Sequence, residues 1–430
     1  MKNKIKSLKP SILAKRVWFT LAILVIYHLL TFITVPGVNA KELMSVMNNN
    51  ALTMLSMFSG GSFDNFSLMS MGVTAYITAQ IIMQLLQADV VPKFTEWSKE
   101  GEVGRRKLDQ ATRTLTVILG FIQGLGISIG INQLTGGKFV IAPSWTNYLT
   151  IAVLMTTGTF IAMWLADQIT EKGLGNGVSV IIATGIIAKF PSMTAQLISI
   201  ITGGKQVNYA LITYLVIGII VAILLIIWFT TSELRIPVQY SRRETNTGKD
   251  SYLPLRILVP GVVPIIFASA ILAIPQTLLL MFNSKSTSTV YKVVNEFFTL
   301  QSPTGIVVYS IIIIAFTYLY SIVQIEPEKL ADNFQKQDAY IPGYTPGSQT
   351  AIYIKSVLFQ LDLPGSLFLT FVSVLPLLAS NTVSSSLQVG LSGSSLLIVT
   401  GVFIDISRQI KGLRMKQEYG TFLNKEYSFD

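Results

Sequence analysis

The sequence predicts an all-α membrane protein: ten transmembrane helices in two inverted five-helix halves, with a re-entrant segment after the first span. Three observations lead there. Hydrophobic residues make up 51% of the 430 and charged residues only 13%, with mean hydropathy +0.57, outside the usual range of soluble domains. Apolar stretches long enough for a bilayer core about 30 Å thick, roughly 20 residues each, recur along the chain. Stretches such as VAILLIIWF (221–229) and YSIIIIAF (309–316) are apolar on every face, unlike the alternating strands of an outer-membrane barrel.

The spans, in order, are 17–35, 72–90, 114–134, 147–168, 177–201, 209–230, 258–281, 303–325, 362–380 and 390–407. The first stays in the mature chain, because PGVNAKE follows it where a signal peptide would carry small residues for cleavage. With ten spans both termini lie on one side. Of the 32 Lys and Arg residues, 26 fall at the termini or in the segments joining the spans on that side. That bias places the termini in the cytoplasm. Ten spans divide into five and five, and an odd number gives the halves (1–205 and 206–430) opposite orientations, as in inverted-repeat transport folds.

Three cytoplasmic segments are long and carry both charge signs: 91–113, 231–257 and 326–361. Long connections usually bind something or are disordered. KEGEVGRRKLDQATR (99–113) has Gly turns and apolar punctuation, which predicts an ordered helix or hairpin. A cytoplasmic docking platform is the expectation.

Chemistry is sparse between the spans. There is no cysteine, which excludes disulfides and thiolate sites, and neither a metal set nor a cofactor is expected. Asp89, Asp167, Asp362 and Asp405 are placed near span ends, leaving an uncharged midplane and no coupling site of the kind an ion-driven small-solute transporter keeps. The one histidine, His28, reads as a packing residue. An intramembrane protease built on Ser392 would need it as base.

Residues 51–72, ALTMLSMFSGGSFDNFSLMSMG, are too polar and Gly-interrupted to span and too apolar for an exposed loop. A re-entrant segment beside a water-filled cavity fits; an interfacial helix on the outer surface is the alternative. Ile77 and Ile81, and again Ile182 and Ile186, stand four apart on one helix face, a spacing that by default makes a lipid-facing stripe.

Across nearly its whole length the chain resembles the SecY family, channel subunits of the bacterial protein-conducting translocon. The motifs are TVPGVNA (34–40), FSGGSFDNFSLMSMG, TAYITAQIIMQLLQ (74–87), PKFTEWSKEGEVGRRKLDQATR (92–113), WLADQITEKGLGNGVSVII (164–182), RIPVQYSRR (235–243), EPEKLADNFQKQ (326–337) and SGSSLLIV (392–399). The resemblance implies an hourglass channel with a lateral gate between spans 2–3 and 7–8. Its plug is 51–71, with Phe58, Ser59, Gly60, Gly61, Phe63 and Asn65. It carries an apolar constriction onto Ile77, Ile81, Ile182, Ile186, Ile266 and Ile398, and motor or ribosome docking onto Arg105, Arg106, Arg235, Arg242, Arg243, Tyr344 and Thr345. The implied partners are SecE-like and SecG-like small membrane subunits, a SecA-type motor ATPase, the ribosome, secretory preproteins and membrane lipids. The chain has no G-x-x-x-x-G-K-[ST] loop, so energy comes from a partner or the membrane potential. The expected function is passage of unfolded secretory chains across the plasma membrane, with lateral release of membrane segments.

Two turns depart from the family. Its usual P-G-I-R-P-G is here Pro342-Gly343-Tyr344-Thr345-Pro346-Gly347, with Thr345 at the Arg position, and the Asn of K-V-N-P-A-G is Leu258. Pro and Gly remain while contact residues change. That pattern suggests an accessory paralogue with its own motor, the alternative being a divergent housekeeping member.

Overall fold

The computed structural model describes residues 12–40, 42–43, 62–63, 65–87, 91–191, 209–240, 252–281, 289–300, 302–382 and 393–426. Thirteen helices are described: α1 (Ile12–Leu30), α2 (Thr74–Leu85), α3 (Pro92–Lys99), α4 (Glu102–Leu134), α5 (Trp145–Lys172), α6 (Gly177–Ala188), α7 (Tyr209–Thr231), α8 (Val263–Met281), α9 (Thr289–Phe298), α10 (Pro303–Ile325), α11 (Pro327–Lys336), α12 (Ser348–Thr382) and α13 (Gly393–Glu426). Among the described residues, strands are confined to β1 (Glu233–Pro237), β2 (Gln239–Tyr240), β3 (Tyr252–Arg256) and β4 (Ala339–Tyr340). Each of the ten expected spans falls on one helix. Contacts divide the chain into one unit of residues 1–202, 270–302 and 402–430 and another of 203–269 and 303–401. The boundary expected between the halves at 205/206 lies outside the described residues.

In the first unit α4 packs along α5 and α2. Small residues permit the approach: a Cβ on Gly124 would meet the Ala152 backbone at 3.2 Å, the close helix contact membrane proteins favour. Asn132, buried near the end of α4, donates to the Tyr148 hydroxyl at 2.6 Å and accepts from the Val140 backbone N–H at 3.0 Å, which pins the 135–144 turn. Outward faces stay apolar, with Trp18 on α1 71% exposed and Trp164 on α5 57% exposed. Such surfaces belong in lipid.

Span 1 ends earlier than hydropathy predicts. The helix stops at Leu30 rather than 35, because the backbone of 33–35 is used differently: Leu68 N–H donates to Ile33 and Val35 N–H to Phe66. The apolar Ile33 and Val35 read as helix to a hydropathy window, whereas pairing with a distant segment decides their conformation.

In the second unit two of the long polar segments fold together. β1 and β3 pair antiparallel from Glu233↔Arg256 to Pro237↔Tyr252, and β2 pairs with β4 through Gln239↔Tyr340. Beneath them Ile236, Val238, Leu255, Ile341, Ile354 and Leu358 form a buried cluster. The long loops 231–257 and 326–361 are thereby one small module rather than two independent tethers. Nor is 326–361 a loop: it holds α11 and the first turns of α12, a 35-residue helix of which the expected span 362–380 is only the later part.

Candidate functional site

The six isoleucines are all buried. In the first unit Ile77 and Ile81 on α2 are each 2% exposed, Ile182 and Ile186 on α6 are 0% and 5%, and in the second Ile266 on α8 and Ile398 on α13 are 5% and 3%. None presents the lipid-facing stripe that spacing alone suggests.

Of the plug residues, Phe58, Ser59, Gly60 and Gly61 lie outside the described residues. From Ser62 onward the backbone is irregular and packed inside the first unit. Phe63 is fully buried and Asn65 is exposed. Ser62 donates to the Met69 carbonyl, Ser67 to that of Ser62 at 3.0 Å, and Ser70 to that of Ser67, each bond buried. Phe66 stands at φ 42 and packs its ring edge-on to Phe139, centroids 4.7 Å apart. Hydroxyls thus take up carbonyls that a helix would have satisfied, so non-helical backbone can stay inside the protein. The interfacial-helix alternative does not describe residues 62–73.

The basic residues of the long polar segments sit on built supports. α3 and α4 form a helical hairpin, as the sequence predicts for 99–113. Pro92 opens α3, Gly101 reverses the chain at φ 71, and Gly104 lies so near the Trp97 carbonyl that a Cβ would come within 1.9 Å. Lys93 and Lys107 approach the Trp97 ring at 5.4 and 5.7 Å. This leaves Arg105 and Arg106 exposed on the first turn of α4. In the second unit Arg235 lies over the Tyr252 ring at 4.8 Å and beside Glu233 at 3.4 Å. Arg242 and Arg243 are outside the described residues. Tyr344 is 40% exposed and stacks on Tyr353, centroids 4.2 Å apart. Thr345 is exposed, and its carbonyl accepts the Thr350 hydroxyl at 2.9 Å where α12 begins. Gly343 and Gly347, at φ 90 and 100, hold turns that residues with a Cβ rarely adopt.

Sequence reasoning missed two polar features. Arg113 on α4 pairs with Asp167 on α5 at 2.9 Å, beside a cavity of about 180 Å³ lined also by Tyr76, Asp109, Thr112, Thr170 and Glu171. The partners are 54 residues apart, and only the helix pairing brings them together. Asp362, at the span end where the sequence places it, is buried: it lies about four turns into α12, which begins at Ser348, and is 1% exposed. As for the protease alternative, His28 is exposed with its ring edge-on to Phe32 at 5.3 Å, and Ser392 is outside the described residues.

Known proteins match the chain throughout. The SecY family model covers residues 67–407. Protein translocase subunit SecY 2 of Lactobacillus kefiranofaciens subsp. kefiranofaciens is 61% identical over 408 residues, 95% of this chain and 100% of the relative, and SecY 1 of the same organism is 46% identical over 96% and 98%. Among solved structures, one described as the structure of a protein conducting channel aligns at TM-score 0.66 and 18% identity over 94% of both chains.

Proposed function

This chain belongs to the SecY family of protein-translocating membrane channels, and from that premise we propose that it is an accessory export channel working with a dedicated motor. It is a multi-pass membrane protein of the plasma membrane and a non-catalytic subunit of a translocase. The observation that carries the accessory reading is its greater identity to a SecY 2 than to the SecY 1 of the same organism, 61% against 46%.

The chemistry of the proposed channel comes from its residues. Unfolded chains of any sequence pass a neck of buried isoleucines, Ile77, Ile81, Ile182, Ile186, Ile266 and Ile398, whose side chains offer neither hydrogen bonds nor charge. An apolar constriction dewets and so resists ions. Residues 51–71 act as the plug, the serine-held stretch from Ser62 anchoring it to the body of the first unit. Both termini are cytoplasmic, and the two halves 1–205 and 206–430 are inverted repeats.

A SecA-type motor or the ribosome docks on the α3–α4 hairpin and on the strand module. Exposed Arg105, Arg106 and Arg235, with Arg242 and Arg243, pair with acidic or phosphate groups of those partners. Thr345 at the tip of the 342–347 turn replaces a guanidinium with a short neutral hydroxyl, which suits a motor surface of different charge. SecE-like and SecG-like subunits complete the assembly.

Deletion of the gene in its host tests the accessory reading. The expected result is normal growth and bulk secretion with loss of a small set of exported proteins. Loss of viability would make this the housekeeping channel instead.

A further inference from the structure

Asp362 on α12 is a buried carboxylic acid without a hydrogen-bond or ion-pair partner among the described residues. It is 1% exposed, and neither carboxyl oxygen makes a hydrogen bond. Its polar neighbour is the Ser321 hydroxyl of α10, itself fully buried and likewise without a hydrogen bond. α10 packs along α12 here, with the Tyr318 and Phe359 rings 4.9 Å apart one turn away.

No cation among the described residues neutralises the acid. The titratable and charged groups on elements packed against α12 are Tyr309, Tyr318 and Tyr320 on α10, Glu328, Lys329, Asp332 and Lys336 on α11, Glu326 before it, and Glu233, Arg235, Tyr240, Tyr252, Arg256 and Tyr340 on the strands; Tyr353 and Lys355 lie on α12 itself. Lys329 pairs with Glu326 at 2.8 Å, and no ion pair among the described residues includes Asp362. The remaining neighbourhood is tight and apolar. Gly365 lets the Ile257 carbonyl approach to within 2.9 Å of where a Cβ would stand, and the Ser366 hydroxyl is already used on the Leu363 carbonyl at 3.0 Å.

We propose that Asp362 and Ser321 form a proton-binding site between α10 and α12. An unpaired buried carboxylate is costly in such surroundings. Adding a proton from water forms one O–H bond on the carboxylate and removes its charge. The neutral acid then donates to Ser321 Oγ, which satisfies both orphaned groups in one hydrogen bond. Releasing the proton to water restores the charge, which is accommodated only if α10 and α12 part enough to hydrate it. The site thereby links proton occupancy to the packing of these two helices, whichever motor drives export. The sign is fixed: packing is favoured while the proton is bound, and that contribution is lost as pH rises.

Infrared spectroscopy of the full chain in lipid nanodiscs tests this. The expected result is a protonated-carboxyl band at neutral pH in the wild type that disappears in Asp362→Asn, a substitution close in shape to the neutral acid. Ser321→Ala should shift that band by removing the acceptor, and this variant serves if Asp362→Asn does not fold. Thermal midpoints should fall with rising pH by several degrees more in the wild type than in Asp362→Asn. A missing band, a band that survives Asp362→Asn or ignores Ser321→Ala, or parallel pH profiles would overturn the proposal.

Discussion

The carbonyl oxygen of Leu68 lies where α5 has no side chain to obstruct it: a Cβ on Gly158 would stand 1.8 Å from that oxygen. The two residues lie 90 positions apart in the chain. Through this contact the irregular stretch behind the proposed plug seats against a long helix.

Gly158→Ala should therefore destabilise the first unit by about 1–3 kcal/mol, the usual cost of overpacking a site where backbone must move. Thermal unfolding in detergent checks it. A midpoint equal to that of the wild type would show that the 62–73 backbone is not held there.

The proposed neck predicts an electrical phenotype. Ile77→Asn or Ile182→Asn introduces a hydrogen-bonding amide at a position 2% or 0% exposed, and water enters an apolar constriction with such a group. Single-channel conductance in planar bilayers should show more ion leak than the wild type. Unchanged leak in both variants would count against these isoleucines forming the constriction.

Asn132→Ala tests the 135–144 turn. It deletes the acceptor for the buried Val140 N–H and the donor to Tyr148. An unsatisfied buried amide costs about 1–3 kcal/mol, so the thermal midpoint should fall. Asn132→Asp keeps the acceptor for Val140 and should lose less.

Thr345→Arg separates fold from docking. The side chain is exposed, and only its backbone carbonyl is tied into the turn, so stability should change by no more than about 0.5 kcal/mol. Stimulation of a SecA-type motor's ATPase should change measurably. If neither quantity moves, this turn does not contact the motor.

Much of this protein is legible along the chain. Each of the ten apolar windows falls on a helix, and the Gly turns of 99–113 announced an ordered helix or hairpin because Gly101 permits a backbone that few other residues adopt. What misled hydropathy was competition. Phe32 to Val35 are apolar enough for a span, but Ile33 and Val35 pair with Leu68 and Phe66 instead. The stretch before Asp362 looked like loop because the start of α12 is polar, although it is continuous helix from Ser348. Nothing local announced the ion pair of Arg113 with Asp167.

By itself, then, the sequence determined the class, the spans, the basic face and, through its motifs, the resemblance to the SecY family, since these depend on composition and local spacing. Only the tertiary structure decided that 231–257 and 326–361 share a core, that serines hold 62–73 in a buried irregular path, and that Asp362 meets Ser321 away from water. Each of these depends on contacts between segments distant in the chain. Burial and pairing of that kind are properties of the packed helices, which no local window can report.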